Sequence, residues 1–200
     1  MLAVSRPARI PDAAWAFEPK LDGWRALVYI DQGRLTVRTR RGRAITEQVP
    51  ELDGLPAHVG RSCVLDGELV AGSGLPTDFY RLGPRLARRG DHPTNARRLT
   101  FVAFDLLWVD DGPTIALPYE ERRRQLVDLQ LSGPGWATVA SLNDPVADVM
   151  DACSALSLEG LVAKRLDAPY RPGVRSSAWL KLKTAEWVTV HAPKRIDARR

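Results

Sequence analysis

Cysteine, histidine and methionine are scarce: two, three and two residues in a chain of 200. Cys63 and Cys153 lie far apart, and no CxxC or HExxH spacing occurs. A disulfide framework and a structural zinc site are thereby excluded. Three scattered histidines (His58, His92, His191) are too few for a histidine-based metal centre. No apolar run reaches membrane-spanning length, and the N-terminus has no signal-like apolar stretch, so the expectation is a cytoplasmic protein without a membrane partner. Internal repeats and low-complexity tracts are missing as well, which excludes solenoids. What remains is ordinary globular composition, 44% hydrophobic and 26% charged. The net charge of +5 is carried mostly by arginine. A basic balance favours a polyanionic partner such as nucleic acid, because bound phosphates release counterions.

The hydrophobic pattern predicts mixed secondary structure. Residues 1–16 read as a lead-in, since Pro7 and Pro11 break any helix. Ala26 to Ile30 and Leu35 to Val37 flank the turn Asp31-Gln32-Gly33, a hairpin with one polar, basic face. Val64 to Ala71 and Thr100 to Val109 read as strands. Thr77 to Arg89 reads as a basic helix. Pro118 to Gln130 carries helix signals: Pro at its start, Glu120 and Glu121 in the first turn, Leu126 and Leu129 on one side. Pro145 to Leu156 is a second such segment, and Gly160 to Arg165 and Ala178 to Val190 read as strands. Without regular β-α alternation, the expected class is α+β with antiparallel sheets flanked by helices.

Five clusters carry groups capable of chemistry. Lys20-Leu21-Asp22-Gly23-Trp24-Arg25 places an amine beside a tight turn, with Arg25 a fixed cation nearby. A nucleophilic lysine must be neutral, and neighbouring cations and partial burial favour that form. Leu65-Asp66-Gly67-Glu68 offers carboxylates suited to a ribose hydroxyl or a metal ion. Phe101-Val102-Ala103-Phe104-Asp105 offers rings able to stack on a base. In Glu159-Gly160-Leu161-Val162-Ala163-Lys164 a carboxylate ends a helix and a lysine follows on a strand; Mg²⁺ prefers such oxygen ligands. In Trp179-Leu180-Lys181-Leu182-Lys183, strand alternation puts both lysines on one face, where they can grip a phosphate. Taken singly, each has an ordinary alternative: a surface lysine, an Asp-Gly turn, a core aromatic, a helix C-terminal glycine, an amphipathic strand.

Taken in order, from Lys20 to Lys183, the five resemble the signature of the covalent nucleotidyltransferases: DNA ligases, RNA ligases and mRNA capping enzymes. Phe17 to Arg25, Leu117 to Arg123, Glu159 to Arg165 and Tyr170-Arg171-Pro172-Gly173 look like the bacterial ATP-dependent DNA ligases of repair and end joining. Thr39-Arg40-Arg41-Gly42 resembles their short Ser/Thr-Arg segment. The resemblance implies a nucleotidyltransferase (ATP-grasp-like) fold over residues 1–190 and ATP as cofactor, held as a covalent AMP intermediate. It also implies Mg²⁺ or Mn²⁺, and nicked double-stranded DNA as substrate. By the same likeness Lys20 is the nucleophile, and Lys181 and Lys183 stabilise the transition state. Glu18, Arg25, Arg40, Glu68, Phe104 and Lys164 bind the nucleotide, with Phe104 (Phe101 as second choice) stacking on adenine. Glu159 and Glu68 hold the metal. Arg81, Arg85, Arg88 and Arg89 on the basic helix suit DNA phosphates, which carry no sequence information.

Such ligases continue into an OB-fold barrel. Only 17 residues follow Lys183, fewer than the roughly 40 that five short strands need. The expectation is a lone adenylation domain with a basic tail at 191–200, no barrel, and a separate OB-fold or end-joining protein as partner. The alternatives are a catalytically deficient remnant that binds nucleotide or nucleic acid, and an RNA-ligase or capping-type enzyme.

Overall fold

The computed structural model describes residues 1–5, 10, 14–71, 98–110 and 112–191. The expected basic helix with Arg81, Arg85, Arg88 and Arg89 lies outside the described residues, as does the tail from 192 onward.

Two mixed sheets form the fold. The first contains β1 (Leu2–Ser5), β2 (Trp15–Pro19), β9 (Gly160–Arg165) and β10 (Arg175–Lys183), in the order β1-β10-β9-β2. The second contains β3 (Trp24–Asp31), β4 (Arg34–Thr39), β5 (Cys63–Ala71), β6 (Leu99–Val109) and β7 (Gly112–Pro113) in the order β4-β3-β5-β6-β7, with β8 (Trp136–Thr138) paired to β6. Helices α1 (Leu55–Val59), α2 (Tyr119–Asp128), α3 (Val146–Ala155) and α4 (Ala185–His191), with short 3-10 helices at Thr46–Gln48 and Pro50–Leu52, complete the described elements. No barrel closes among them.

The strongest sequence signals became the elements expected. The hairpin β3–β4 turns at Gln32-Gly33, both at positive φ, and buries Val28, Ile30 and Val37 while Arg34 and Arg38 stay exposed. Helix α2 buries Leu126 against the second sheet and keeps its glutamates at the N-terminal end. Four expectations need correction. The supposed lead-in supplies two strands, because Leu2–Ser5 and Trp15–Pro19 find edge positions on the first sheet. The sheets are not wholly antiparallel: β1 pairs parallel with β10, and β8 with β6. The strand expected to run to Val190 stops at Lys183, where Thr184 turns inward and its Oγ1 accepts from the Trp187 amide at 3.3 Å, capping α4. Glu159 does not end a helix: α3 stops at Ala155, and Glu159 sits directly before β9.

Three apolar clusters hold the layers. The largest lies under the second sheet and α2. A second joins the first sheet to α3 through Val149, Cys153, Leu161 and Leu180. The third, with Tyr170 and Trp179 packed against Phe104 and Leu107, welds β10 to β6 and so one sheet to the other.

Candidate active site

The segment Lys20–Gly23 is the crossing from β2, in the first sheet, to β3, in the second. Lys20 still belongs to the β2–β9 pairing, because its amide donates to the Gly160 carbonyl at 2.8 Å. On the other side of Gly160, Lys183 is its partner on β10. Both lysines therefore flank the residue next to Glu159. The Lys20 amine contacts Glu159 Oε2, and Lys183 Nζ lies 3.0 Å from Oε1. Two glycines make this approach possible. A Cβ on Gly160, at φ +147°, would lie 1.9 Å from the Leu182 carbonyl oxygen, and one on Gly23 would lie 2.2 Å from that of Leu69.

A cleft of about 990 Å³ opens beside Lys20 and is lined from both sheets. Its polar wall includes Glu18, Arg25, Glu68, Lys164, Arg175 and Lys181, and its apolar wall includes Trp24, Phe104, Val139, Val162 and Trp179. Thr39, Arg40, Arg41 and Arg43 reach it from the turn after β4. Burial lowers the Lys181 pKa, and the nearby cations Lys20 and Arg175 push the same way. Burial tends to raise Glu159, but hydrogen bonds and charge from Lys20 and Lys183 outweigh it and hold the carboxyl below its ordinary value. Glu68, paired across strands with Arg25, is pushed by burial up to about 8 despite the opposing pull of Arg25 and Lys20. At that value it can donate to a hydroxyl when protonated or bind a cation when ionised.

Three charged pairs brace the cleft, two of them through residues of its wall. Arg25 grips Asp66 bidentately, Nε to Oδ1 at 2.9 Å and Nη2 to Oδ2 at 2.5 Å, and also donates to the Met1 carbonyl at 2.6 Å. The Tyr170 hydroxyl donates to Asp66 at 2.8 Å. Burial opposes the Arg25 charge, yet Asp66 more than restores it and raises the pKa. Asp105 and Arg122, both fully buried, form a second bidentate pair at 2.7 and 2.9 Å. Lys164 and Glu18 form the third, at 2.7 Å.

The model of the ATP dependent DNA ligase domain matches residues 1–183. The chain belongs to that family. It is 36% identical over 170 residues to the multifunctional non-homologous end joining protein LigD of Mycolicibacterium smegmatis, covering 84% of this chain and 21% of that protein. It is 32% identical over 198 residues to DNA ligase C1 of the same organism, covering 90% of this chain and 55% of that protein. Among solved structures, the ligase domain of M. tuberculosis LigD superposes with a TM-score of 0.76 at 32% identity, over 91% of this chain and 58% of that one. A mycobacterial DNA ligase D complexed with ATP and MES gives 0.74 at 30% identity, over 91% and 59%. This chain thus spans about a fifth of LigD and a little under three fifths of the solved ligase domains.

Within this ligase-family domain, most of the residues singled out from sequence converge. Lys20, Glu18, Arg25, Arg40, Glu68, Phe104, Lys164 and Lys181 all line one cleft, while Glu159 and Lys183 join it through their contacts with each other and Lys20. Phe101, the second choice for stacking on adenine, is not available: it is wholly buried, its ring pressed where a Gly67 Cβ would lie at 2.4 Å. The sequence patterns gave no individual role to two contributors, Tyr170 and Arg175, and a different role to a third, Asp66. Asp66, offered with Glu68 as a carboxylate for ribose or metal, is instead fully buried and grips Arg25. Tyr170 falls in the ligase-like segment Tyr170-Arg171-Pro172-Gly173, whereas Arg175, also beyond β9, was marked by no local pattern.

Proposed function

We propose that this chain is the nucleotide-activating part of a DNA ligase. The Lys20 amine attacks the α-phosphorus of ATP, a P–N bond forms, and pyrophosphate leaves. The AMP then passes to the 5′-phosphate at a nick in duplex DNA, for a 3′-hydroxyl to displace. The observation that supports this best is one carboxylate, Glu159, shared by Lys20 and Lys183 at the edge of a cleft of nucleotide size. Family membership over residues 1–183 supports the use of ATP.

Phosphoryl transfer asks a protein mainly for positioning and charge stabilisation. Lys181 and Lys183 would face the phosphates, Phe104 the base, and Arg25, Arg40 and Glu68 the ribose and phosphate edge. The Glu159 contact has to break before the Lys20 amine can attack. Among the described residues no group of three or more His, Cys, Asp or Glu comes together. Two separate carboxylates nevertheless fit Mg²⁺, which keeps several waters and binds through one or two carboxylates and substrate phosphates. Glu159 and Glu68 would hold it, and when bound it would offset phosphate charge. The exposed arginines Arg41 and Arg43 at the cleft rim would meet the DNA backbone, and a barrel-containing or end-joining protein would be the partner. No described helix is long and apolar enough to cross a membrane.

Intact-mass measurement after incubation with ATP and Mg²⁺ tests the reading. One AMP per chain is expected, and none in Lys20→Ala. Labelling by GTP, or sealing of RNA in preference to DNA nicks, would move the chain to the capping or RNA-ligase class. No adduct even with a barrel-domain protein added would make it a binding remnant.

A further inference from the structure

Strand pairing sets Thr36, Tyr29, Val64 and Trp108 side by side across β4, β3, β5 and β6 of the second sheet. Leu27 lies two residues from Tyr29 on β3, and so on the same face. On the opposite face Val28, Ile30, Val37 and Leu65 are 0–2% exposed, whereas Leu27, Tyr29 and Val64 are half-buried and Trp108 is 38% exposed. Leu27, Tyr29, Val64 and Trp108 join none of the three apolar clusters. The Trp108 indole donates to the Asp110 carbonyl at 2.7 Å. Its one polar group is thus used within the chain, and its ring is what it presents outside. Apolar side chains scattered singly on a surface need no explanation; a contiguous row containing two aromatic rings does.

Positive charge flanks the row. Arg38 lies opposite Leu27, and Arg34 lies opposite Asp31 at the end of the hairpin. From Arg34 to Arg43 the chain carries five arginines, all exposed, and no acid. Guarding an open strand edge does not account for them. The outer side of β4 is already paired, the Thr39 amide donating to the Arg43 carbonyl at 2.9 Å and the Ile45 amide to the Val37 carbonyl at 2.8 Å. Asp66, Asp105 and Asp110, on or beside this face, are each held by an arginine. The row is also continuous with the cleft: Arg25, Leu27 and Tyr29 alternate along one face of β3, and Arg25 lines the cleft. Four residues of strand put Tyr29 about 13 Å beyond Arg25.

A duplex keeps its base faces stacked inside, whereas an unpaired strand offers them to aromatic rings along with its phosphates. We infer that Tyr29, Val64 and Trp108, with Arg34 and Arg38, bind an unpaired DNA strand that runs from the cleft along β3 and β4. The rings stack on its bases and the arginines meet its phosphates. The inference goes beyond nick sealing, and only the choice of DNA over RNA rests on the ligase reading.

The test is fluorescence anisotropy of labelled oligo-thymidylate with the full chain. Tyr29→Ala and Trp108→Ala should each weaken binding by about 5-fold or more, the scale of losing one stacked base. Arg34→Ala and Arg38→Ala should each flatten the slope of log affinity against log salt by about 0.7. All four should keep the wild-type yield of AMP adduct with ATP; a wild type that forms none removes the ligase reading, while oligo-thymidylate still decides this one. A wild type that does not bind oligo-thymidylate, or folded ring variants that bind it as wild type does, overturns the inference and leaves the ligase reading standing. An equal loss on blunt nicked duplex overturns the assignment to an unpaired strand. Should the ring variants not fold, the arginine variants decide, and an unchanged salt slope overturns the inference. Tighter binding of oligo-uridylate assigns the row to RNA, and self-association lost in the ring variants assigns it to a second copy; each overturns the inference.

Discussion

Lys20 and Lys183 are joined through a single carboxylate, each contacting a different oxygen of Glu159. Three cations, with Lys181, are concentrated around that one anion. Glu159→Gln keeps the shape and removes the charge that balances them. The rate of AMP adduct formation at saturating ATP should fall by about 100-fold, the scale of losing an electrostatic group at a transition state. The ATP dissociation constant should move by less than about 3-fold. Adduct formation at the wild-type rate would show that Glu159 has no part in the chemistry.

Gly160 explains why the lysines can meet there at all. Its φ of +147° suits glycine, and any Cβ would overlap the Leu182 carbonyl, which is backbone and cannot swing away. Gly160→Ala must therefore push β9 from β10 at the residue beside Glu159. The expected loss is about 3 kcal/mol, or roughly 6–12 °C in melting temperature for a domain of this size. A thermal melt within 2 °C of wild type, an interval of about 0.5–1 kcal/mol, would mean the strands accommodate the methyl.

Asp105 and Arg122 are both wholly buried, and the guanidinium also donates to the Leu117 and Ala168 carbonyls at 2.7 and 3.0 Å. Removing one partner strands the other charge in the core. Arg122→Met and Asp105→Leu should each cost about 3–5 kcal/mol. The double variant should cost clearly less than the two combined, because the orphaned charge disappears. Denaturant unfolding of the four proteins checks this. Additive losses would show that the pair is not an interacting unit.

The legible part of this protein was local. The hairpin at Gln32-Gly33, helix α2 with its acidic first turn, and the strand Gly160–Arg165 each announce themselves within ten residues. The clustering of Lys20, Glu159 and Lys183 was legible only through the order of the motifs, since the crossing between sheets that unites them is a tertiary fact. The extension of the last strand to Val190 failed because Val188, Thr189 and Val190 are β-branched, while the stop lies in Thr184 acting as a cap. The edge strands Leu2–Ser5 and Trp15–Pro19 were hidden because each is stabilised by a distant partner, β10 and β9, rather than by its own pattern. Lys164 was assigned to the nucleotide by motif. The aromatic enclosure of Trp179, Phe104 and Tyr119 that turns its amine toward Glu18 is built from three separate elements, and no spacing rule reports that.

Cys63 provides a pH test of the core that is independent of catalysis. It is 1% exposed on β5, and burial pushes its thiol up to about 12 from an ordinary value of 9.0, with Arg61 opposing. Below pH 9 the thiol is protonated whether the chain is folded or not, so it adds no pH dependence. Between pH 9 and 12 the unfolded chain loses the proton and the folded chain keeps it. The folded state then binds more protons, and its stability falls as pH rises. Wild type should lose about 1.4 kcal/mol per pH unit across that window relative to Cys63→Ala. Unfolding curves of both proteins at pH 8, 9.5 and 10.5 measure the difference, and subtraction cancels the tyrosines and Cys153 that they share. Parallel curves would mean that the folded thiol ionises as freely as the unfolded one, which a side chain enclosed by this sheet could do only if the strand opens.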